Sequence, residues 1–326
     1  MSSRETFLIT GGAGFIGSHL VERLLAAGNG VIVMDDLSTG RIENIRSFLD
    51  HSSFEFIHCS IFERGTVEEY VRRSDGIFHL AAAVGVKNIV RHPVRSIETN
   101  IYGTQIVLNL ANKYRKRILL TSTSEVYGKS EKVPFREGDD MLLGATHKPR
   151  WSYACSKAMD EFLALSFYRE TALPVCIVRL FNTVGPRQVG EYGMVIPRFV
   201  EQALSGQSLT VYGDGNQVRC FIHVRDVVEV IYRLMQTKRA QGEIFNVGGR
   251  EPITIYELAR RVVDLTGSSS SIIKVPYEQV YGEDFEDIRV RVPDTSKLVE
   301  FLSFRPSYTL DDILREVIED FRRRGQ

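Results

Sequence analysis

Apolar runs alternate with amphipathic stretches along the first half of the chain. Six short runs, rich in β-branched residues, have the length of buried strands: 6–10, 31–35, 54–58, 76–80, 117–121 and 175–180. Between them, apolar residues recur at helical spacing in 16–27, 64–71, 96–113 and 153–168. This alternation predicts an α/β fold with a doubly wound parallel sheet and crossover helices.

The pattern changes to shorter elements after Asn182. It predicts helices at 195–205, 224–236, 255–265 and 310–323, and strands at 209–212 and 219–222. We therefore expect a cofactor domain over 1–182 and a smaller C-terminal α/β substrate lobe over 183–326, with 223–250 returning to the first domain. Their cleft is expected at the carboxyl ends of the strands.

A glycine motif, Gly11-Gly-Ala-Gly-Phe-Ile-Gly17, separates the first strand from the first helix. Gly11 permits a tight turn, Gly14 lets backbone N–H groups approach a pyrophosphate, and Gly17 permits close packing of the helix. Asp35 ends the next strand, where a carboxylate hydrogen-bonds an adenosine ribose and repels a 2′-phosphate. The motif predicts a Rossmann-type domain that binds NAD rather than NADP.

Tyr153 and Lys157 are four residues apart and share one face of a predicted helix. A neighbouring ammonium lowers the pKa of a tyrosine, so Tyr153 can take the proton of a sugar hydroxyl while hydride leaves to NAD. A Ser/Thr cluster, Thr121-Ser-Thr-Ser-Glu125, ends a strand upstream. A solvated helix face is the alternative explanation of the Tyr/Lys pair.

Composition narrows the class of protein. The 326 residues include 41 Lys and Arg and 41 Asp and Glu, so no net positive field favours nucleic acid or an anionic membrane. The four cysteines have neither metal-site nor disulfide-framework spacing, which is typical of a reducing cytoplasm. We expect no signal peptide, membrane span or metal site.

These motifs together resemble the extended short-chain dehydrogenase/reductase family that modifies nucleotide sugars. Further matching segments are Asp35-Asp-Leu-Ser-Thr-Gly40, His79-Leu-Ala-Ala82, Arg179-Leu-Phe-Asn182, Gly185-Pro-Arg187, Tyr212-Gly-Asp-Gly215 and Phe245-Asn-Val-Gly-Gly249. The resemblance implies that Thr123 assists Tyr153 and that Lys157 also holds the nicotinamide ribose. It also implies a homodimer through a four-helix bundle built from helices 96–113 and 153–168.

The resemblance assigns three groups of site residues. Its catalytic candidates are Thr123, Ser124, Glu125, Tyr153, Lys157 and Arg291. Its cofactor-binding candidates are Gly11, Gly14, Phe15, Ile16, Gly17, Asp35, Ser38, Thr39, Gly40, Ser60, Ile61, Leu80, Ala81, Ala82, Asn100, Thr121, Tyr153 and Lys157. Its substrate-binding candidates are Val86, Asn182, Arg187, Tyr212, Arg219 and Arg291.

Two positions depart from the family pattern. Ser60 stands near the position where many relatives place an aspartate against the adenine. Acidic residues crowd 282–287, where relatives often offer arginine to the diphosphate, which leaves Arg219 as the principal candidate cation there.

The family's members share a 4-keto sugar and differ in the next step. A 4-epimerase needs no acid or base near C5 and C6, a 4,6-dehydratase needs both, and a glucuronate decarboxylase releases carbon dioxide from a β-keto acid. Ser124-Glu125, the segment Lys148-Pro-Arg-Trp before Tyr153, and Arg291 before Pro293 resemble the decarboxylases. An arginine can grip a carboxylate through two parallel hydrogen bonds.

Other segments favour different reactions. Residues 35–40 and 82–93 are more similar to 4-epimerases. Glu125 is also explained as a buried loop cap, and Arg291 as a surface ion pair with Glu286 or Asp287. The leading hypothesis is decarboxylation of UDP-glucuronate to UDP-xylose. UDP-sugar 4-epimerase, 4,6-dehydratase and a catalytically silent NAD-binding regulator are the alternatives.

Overall fold

The computed structural model describes residues 4–85, 89, 92–190, 193–282 and 286–324. These residues contain fourteen strands and eleven helices. The strands are β1 Thr6–Thr10, β2 Gly30–Asp35, β3 Phe54–His58, β4 Gly76–His79, β5 Arg117–Thr123, β6 Val175–Leu180, β7 Thr183–Val184, β8 Leu209–Tyr212, β9 Val218–Cys220, β10 Ile222–His223, β11 Glu243–Val247, β12 Pro252–Thr254, β13 Ile272–Val275 and β14 Val290–Arg291.

The helices are α1 Phe15–Ala26, α2 Arg64–Arg73, α3 Pro93–Glu98, α4 Thr104–Lys113, α5 Arg150–Thr171, α6 Val195–Leu204, α7 Val224–Gln236, α8 Ile255–Thr266, α9 Tyr277–Tyr281, α10 Ser296–Leu302 and α11 Leu310–Arg324. A π-helical turn, Thr99–Gly103, joins α3 to α4.

A parallel sheet of seven strands organises the first part of the chain in the order β11-β6-β5-β4-β1-β2-β3. Successive residues of β1 face opposite sides, as the pleat requires. Phe7 and Ile9 enter one hydrophobic core, and Leu8 enters the other. Helices α1 and α7 cover the first face, while α2, α4 and α5 cover the second. The Rossmann-type α/β fold predicted from the alternating pattern is therefore confirmed.

The second part of the chain has a hydrophobic core of its own. Helices α6, α8 and α11 pack against one another around it. Small sheets flank this core: β10 pairs with β7, β13 with β8, and β9 lies between β12 and β14. Strand β11 leaves this part and pairs with β6, so residues on both sides of the predicted boundary complete the large sheet.

Two predicted elements differ from the structure. The predicted helix 96–113 is divided by the π-helical turn, where a Cβ on Gly103 would lie 2.2 Å from Ile61 Cδ1. The predicted strand 219–222 is interrupted at Phe221, and its two pieces join different sheets. Pattern alone does not reveal this exchange, because Phe221 is as apolar as its neighbours.

Candidate active site

A cavity of about 710 Å³ opens where the sheet meets the second core. The ends of β1, β2, β4 and β5 bring the glycine motif, Asp35, Leu80 and Thr123 to its wall. The opposite wall comes from the second part of the chain and includes Arg219. The location agrees with the rule that ligands of open α/β sheets bind at carboxyl strand ends.

The glycine motif packs too closely for side chains. Gly11 has φ +74°, and a Cβ there would lie 2.8 Å from Ala81 N. A Cβ on Gly17 would lie 2.3 Å from Gly11 O. Gly11, Gly14 and Gly17 all line the cavity beside the start of α1. This arrangement of backbone and helix N-terminus fits a dinucleotide pyrophosphate.

Asp35 is fixed by the backbone around it. Its carboxylate accepts hydrogen bonds from Ala13 N and Leu37 N, each at 2.9 Å. Burial raises the pKa of Asp35, although both backbone bonds lower it. A carboxylate has about four acceptor positions, so capacity remains for ribose hydroxyls. Gly40 does not line the cavity; a Cβ there would approach Asp35 Oδ1 to 2.7 Å, so this glycine accommodates the carboxylate.

Most other predicted site residues also line the cavity: Phe15, Ile16, Ser38, Thr39, Ser60, Ile61, Leu80, Ala81, Ala82, Thr121, Thr123, Ser124, Glu125, Tyr153, Lys157, Asn182, Arg187, Tyr212, Arg219 and Arg291. Asn100 lies behind the wall, where it donates to Ser156 Oγ at 3.0 Å and accepts from Ala83 N at 2.9 Å. Val86 lies outside the described residues.

The electrostatics of Tyr153 differ from the expectation. Burial and the charge of Glu125 raise the pKa of Tyr153, whereas the predicted effect was a lowering by Lys157. The Lys157 ammonium instead donates to Asp160 Oδ2 at 2.7 Å, and both side chains are buried. The expectation was wrong because it left out the burial of the phenol, which is the first cause of the raised pKa, and the charge of Glu125.

Glu125 lies between two arginines. Arg150 Nη2 reaches its two oxygens at 3.3 and 3.4 Å, and Arg291 Nη1 reaches Glu125 Oε1 at 3.0 Å. Arg291 therefore forms its ion pair inside the cavity rather than with Glu286 or Asp287 at the surface. Its Nε is buried and makes no hydrogen bond to the described residues, so this donor is uncommitted.

Asp287 continues the same network. It contacts Arg150 at 3.2 Å and Arg219 at 3.0 Å, and it accepts from Tyr277 at 2.6 Å. Although burial raises it, the neighbouring arginines hold the pKa of Asp287 at about 2. Strands β9 and β14 set this geometry, because their register places Arg219 beside Arg291.

Sequence reasoning missed several residues of this wall, among them Arg150, Arg198, Tyr277, Tyr281 and Asp287. Arg198 lies over the Tyr212 ring at 4.0 Å, and the Tyr281 ring meets Tyr212 edge-on at 5.8 Å. A signal for Arg150 was present, since it falls in the segment just before Tyr153. The others carry no local signal, because their partners are distant in sequence.

Glu286 attaches the segment before β14 to the start of α5. Its carboxylate accepts from Lys129 and from Trp151 Nε1, each at 2.9 Å, and from Lys148. These hydrogen bonds, led by that of Lys148, lower the pKa of Glu286 to about 2. The attachment keeps Asp287 and Arg291 at the cavity wall.

Comparison with known proteins identifies the family. A family model described as GDP-mannose 4,6 dehydratase matches residues 8–317. The chain belongs to this family. A UDP-N-acetyl-alpha-D-glucosaminuronate decarboxylase from Bacillus cytotoxicus is 45% identical over 98% of both chains. UDP-glucuronic acid decarboxylase 4 from Arabidopsis thaliana is 38% identical over 97% of this chain and 68% of the relative.

Solved structures share the whole fold. A UDP-glucose 4-epimerase from Thermotoga maritima, solved with UDP-glucose, has a TM-score of 0.88 and 32% identity, covering 98% of this chain and all of that one. A dTDP-glucose 4,6-dehydratase from Bacillus anthracis, solved with NAD, has a TM-score of 0.86 and 29% identity, covering 98% and 97% of the two chains. The predicted family resemblance is confirmed.

The described part of the chain contains neither a membrane-spanning helix nor a cluster of metal-binding side chains. None of its helices is both long and apolar enough to cross a bilayer. Its His, Cys, Asp and Glu side chains form no group of three or more that could hold a metal ion.

The lone tryptophan, Trp151, makes the Glu286 attachment measurable. Because the pKa of Glu286 is about 2, we expect Trp151 emission to stay constant as pH falls from neutrality to about 4. The stabilisation from this carboxylate is present above the ordinary glutamate pKa and is lost only as pH falls through about 2. A pH titration of Trp151 fluorescence measures both the constant emission down to about pH 4 and the change at lower pH.

The Glu286→Gln variant is expected to shift Trp151 emission to longer wavelength already at neutral pH. The matched control is Glu278→Gln, because Glu278 is exposed on α9 and makes none of these contacts. A wild-type emission midpoint near the ordinary glutamate pKa would contradict the attachment.

Proposed function

We propose that this protein is an NAD-dependent decarboxylase of a UDP-hexuronate, with UDP-glucuronate as substrate and UDP-xylose as product. The observation that carries the proposal is Arg291, held at 3.0 Å from Glu125 with its Nε uncommitted, in the same cavity as Tyr153. A guanidinium at this place suits a sugar carboxylate. A neutral hydroxymethyl group gives it no charge to pair with.

The relatives support both the reaction and a second substrate. The Bacillus cytotoxicus relative, at 45% identity, is a decarboxylase of the 2-acetamido sugar, whereas the Arabidopsis thaliana relative at 38% acts on UDP-glucuronic acid. UDP-N-acetylglucosaminuronate is therefore the second candidate substrate. The two sugars share the carboxylate and the C4 hydroxyl on which the reaction depends.

The glycine motif and Asp35 would hold the pyrophosphate and adenosine ribose of NAD, and Lys157 its nicotinamide ribose. When bound, NAD supplies the hydride acceptor for sugar C4 and returns the hydride at the end. Tyr153 takes the proton of the C4 hydroxyl, with Thr123 beside it. Arg219 pairs with the diphosphate, and the Tyr212 and Arg198 faces suit a stacked uracil.

The 4-keto sugar is a β-keto acid, so its C5–C6 bond breaks as carbon dioxide leaves. The electron pair of that bond passes to C5 and the C4 oxygen, forming an enolate. C5 then takes a proton from solvent, while the proton on Tyr153 returns to the C4 oxygen when the ketone is reduced. Tyr153, now protonated, donates a hydrogen bond to the C4 oxygen where negative charge develops. Arg291 orients the carboxylate and Glu125 fixes Arg291, which gives both residues a role absent from a simple epimerisation.

Incubation with NAD and UDP-glucuronate, followed by mass spectrometry of the product, tests the reaction. We expect a product lighter by one carbon dioxide, and the same loss from the 2-acetamido sugar if that is the substrate. Tyr153→Phe serves as the inactive control. An unchanged mass with altered ring stereochemistry indicates epimerisation, and loss of water from a UDP- or GDP-hexose indicates dehydration. No product from any of these sugars would support the silent regulator.

Replacement of Arg291 tests the carboxylate site. Arg291→Gln is expected to lower kcat/KM for UDP-glucuronate by at least about 100-fold, because a buried charge pair is lost. Arg289→Gln is the matched control, since the Arg289 side chain is 75% exposed and two residues away. Binding of UDP alone should stay within about twofold in both variants. Equal losses for both variants, or none for Arg291→Gln, would contradict the assignment.

The protein is proposed to act as a homodimer. Five apolar side chains on α3, the π-helical turn and α5 are exposed, Val94 by 67%, Ile97 by 37%, Tyr102 by 57%, Met159 by 48% and Phe162 by 57%. These helices contact one another. A second copy of the chain presenting the same face would bury this surface in a four-helix bundle.

Phe162→Glu is expected to give a monomer, because dimer formation would bury the new charge. Analytical ultracentrifugation measures the change, and Ile273→Glu is the control at an exposed apolar residue on β13. A wild-type monomer at micromolar concentration would exclude the dimer.

The four cysteines are free, which supports the proposed location in a reducing cytoplasm.

A further inference from the structure

Lys157 and Asp160 form an ion pair inside the protein. The Lys157 side chain is 3% exposed and that of Asp160 is 1% exposed, and Nζ lies 2.7 Å from Oδ2. The pair spans one turn of α5. Two buried charges at this distance stabilise each other, and either one alone would lose its hydration without compensation.

The polar surroundings contribute no competing charge at contact distance. Among the described residues, Asp160 is the carboxylate within ion-pair distance of Lys157. His79 lies nearby and is neutral, because burial and Lys157 lower its pKa to about 3. Its Nε2 shares a hydrogen bond of 3.0 Å with Thr104 Oγ1. Glu161, next to Asp160, is committed to Arg179 at 2.7 Å.

Tyr153 lies in the field of this pair. Two carboxylates face it, Glu125 from the end of β5 and Asp160 from α5, and both favour the protonated phenol. Arg291 from β14 and the Thr123 hydroxyl favour the phenolate. The Lys157 ammonium acts on Tyr153 together with the opposite charge of Asp160, so its effect is smaller than that of an unpaired lysine.

We propose that Asp160 is a positioning residue that holds the Lys157 ammonium, one helical turn from Tyr153 on α5, and offsets its charge. A phenol that ionises too easily would be a poor acid when the C4 oxygen must regain its proton. Asp160 thus balances the two directions of proton transfer. The inference deepens the proposed function, because it rests on Tyr153 as the proton-transferring group.

Ultraviolet titration of tyrosinate tests the proposal without any sugar. The absorbance of each full-length protein, loaded with NAD, is compared with that of its Tyr153→Phe counterpart, which isolates Tyr153 from the other tyrosines. Asp160→Asn is expected to lower the Tyr153 midpoint by about one pH unit, since a nearby unit charge is removed. Glu170→Gln is the control, because Glu170 is exposed near the other end of α5.

A second measurement distinguishes positioning from a structural role. The acid limb of the kcat profile should move to lower pH by a similar amount in Asp160→Asn, whereas a merely structural residue would change thermal stability and leave both midpoints in place. That second outcome would overturn the proposal. Failure of the decarboxylase assignment alone would leave the tyrosinate shift intact.

Asp160→Glu extends the test if Asp160→Asn does not fold. It keeps the charge but displaces the ammonium, so kcat should fall by about 10-fold or more. The tyrosinate midpoint should remain within about half a unit of the wild-type value, because the charge is retained. Wild-type kcat in Asp160→Glu would contradict the positioning role.

Discussion

A chain of alternating charges inside the cavity wall determines much of this structure. Arg291, Glu125, Arg150, Asp287 and Arg219 follow one another, each within 3.4 Å of the next. None of these charges is tolerable at its depth alone, because a buried ion without a partner loses its hydration and gains nothing in return. The network therefore requires the end of β5, the start of α5 and strands β9 and β14 to meet.

If substrate binds as proposed, its anionic groups must replace the carboxylate partners that the arginines already have. Arg219 is already paired with Asp287, and Arg291 with Glu125, before any anion arrives. The diphosphate or carboxylate of a substrate must interact with these arginines at least as favourably as Asp287 and Glu125 do. A neutral sugar substituent interacts less favourably with an arginine. Specificity therefore depends on the difference between two interaction energies, that of the arginine with its carboxylate partner and that of the arginine with the substrate.

The sequence predicted those parts of the site whose geometry is local. The glycine motif and the Tyr153/Lys157 pair depend on one turn or one helix, and their spacing sufficed. Arg150 lies in a segment that carried a signal, but its role was missed because its partner Asp287 is far away in the chain. Asp160 was overlooked although it is close in sequence, since a carboxylate on a helix gives no sign of burial. The predicted direction of the Tyr153 pKa was wrong because the pattern shows neither the burial of the phenol nor the effect of the Glu125 charge. Six strands of the main sheet were predicted correctly. For the seventh, β11, the sequence predicted only that 223–250 returns to the first domain, because its pairing with β6 depends on the fold of the intervening residues.

The similarity of the backbones does not distinguish epimerisation, dehydration and decarboxylation. The charged side chains of the cavity wall bear on that question. An epimerase and a dehydratase superimpose with nearly equal TM-scores, 0.88 and 0.86, so the shared fold does not by itself distinguish one reaction from another. In the ion-pair network of the described cavity wall, Arg150, Arg219 and Arg291 face the two carboxylates of Glu125 and Asp287. In the proposed binding mode, a UDP-sugar places its diphosphate beside Arg219, and a uronate places a further anion beside Arg291. In that binding mode a uronate gives both Arg219 and Arg291 an anion to pair with, whereas a neutral hexose gives one to Arg219 alone.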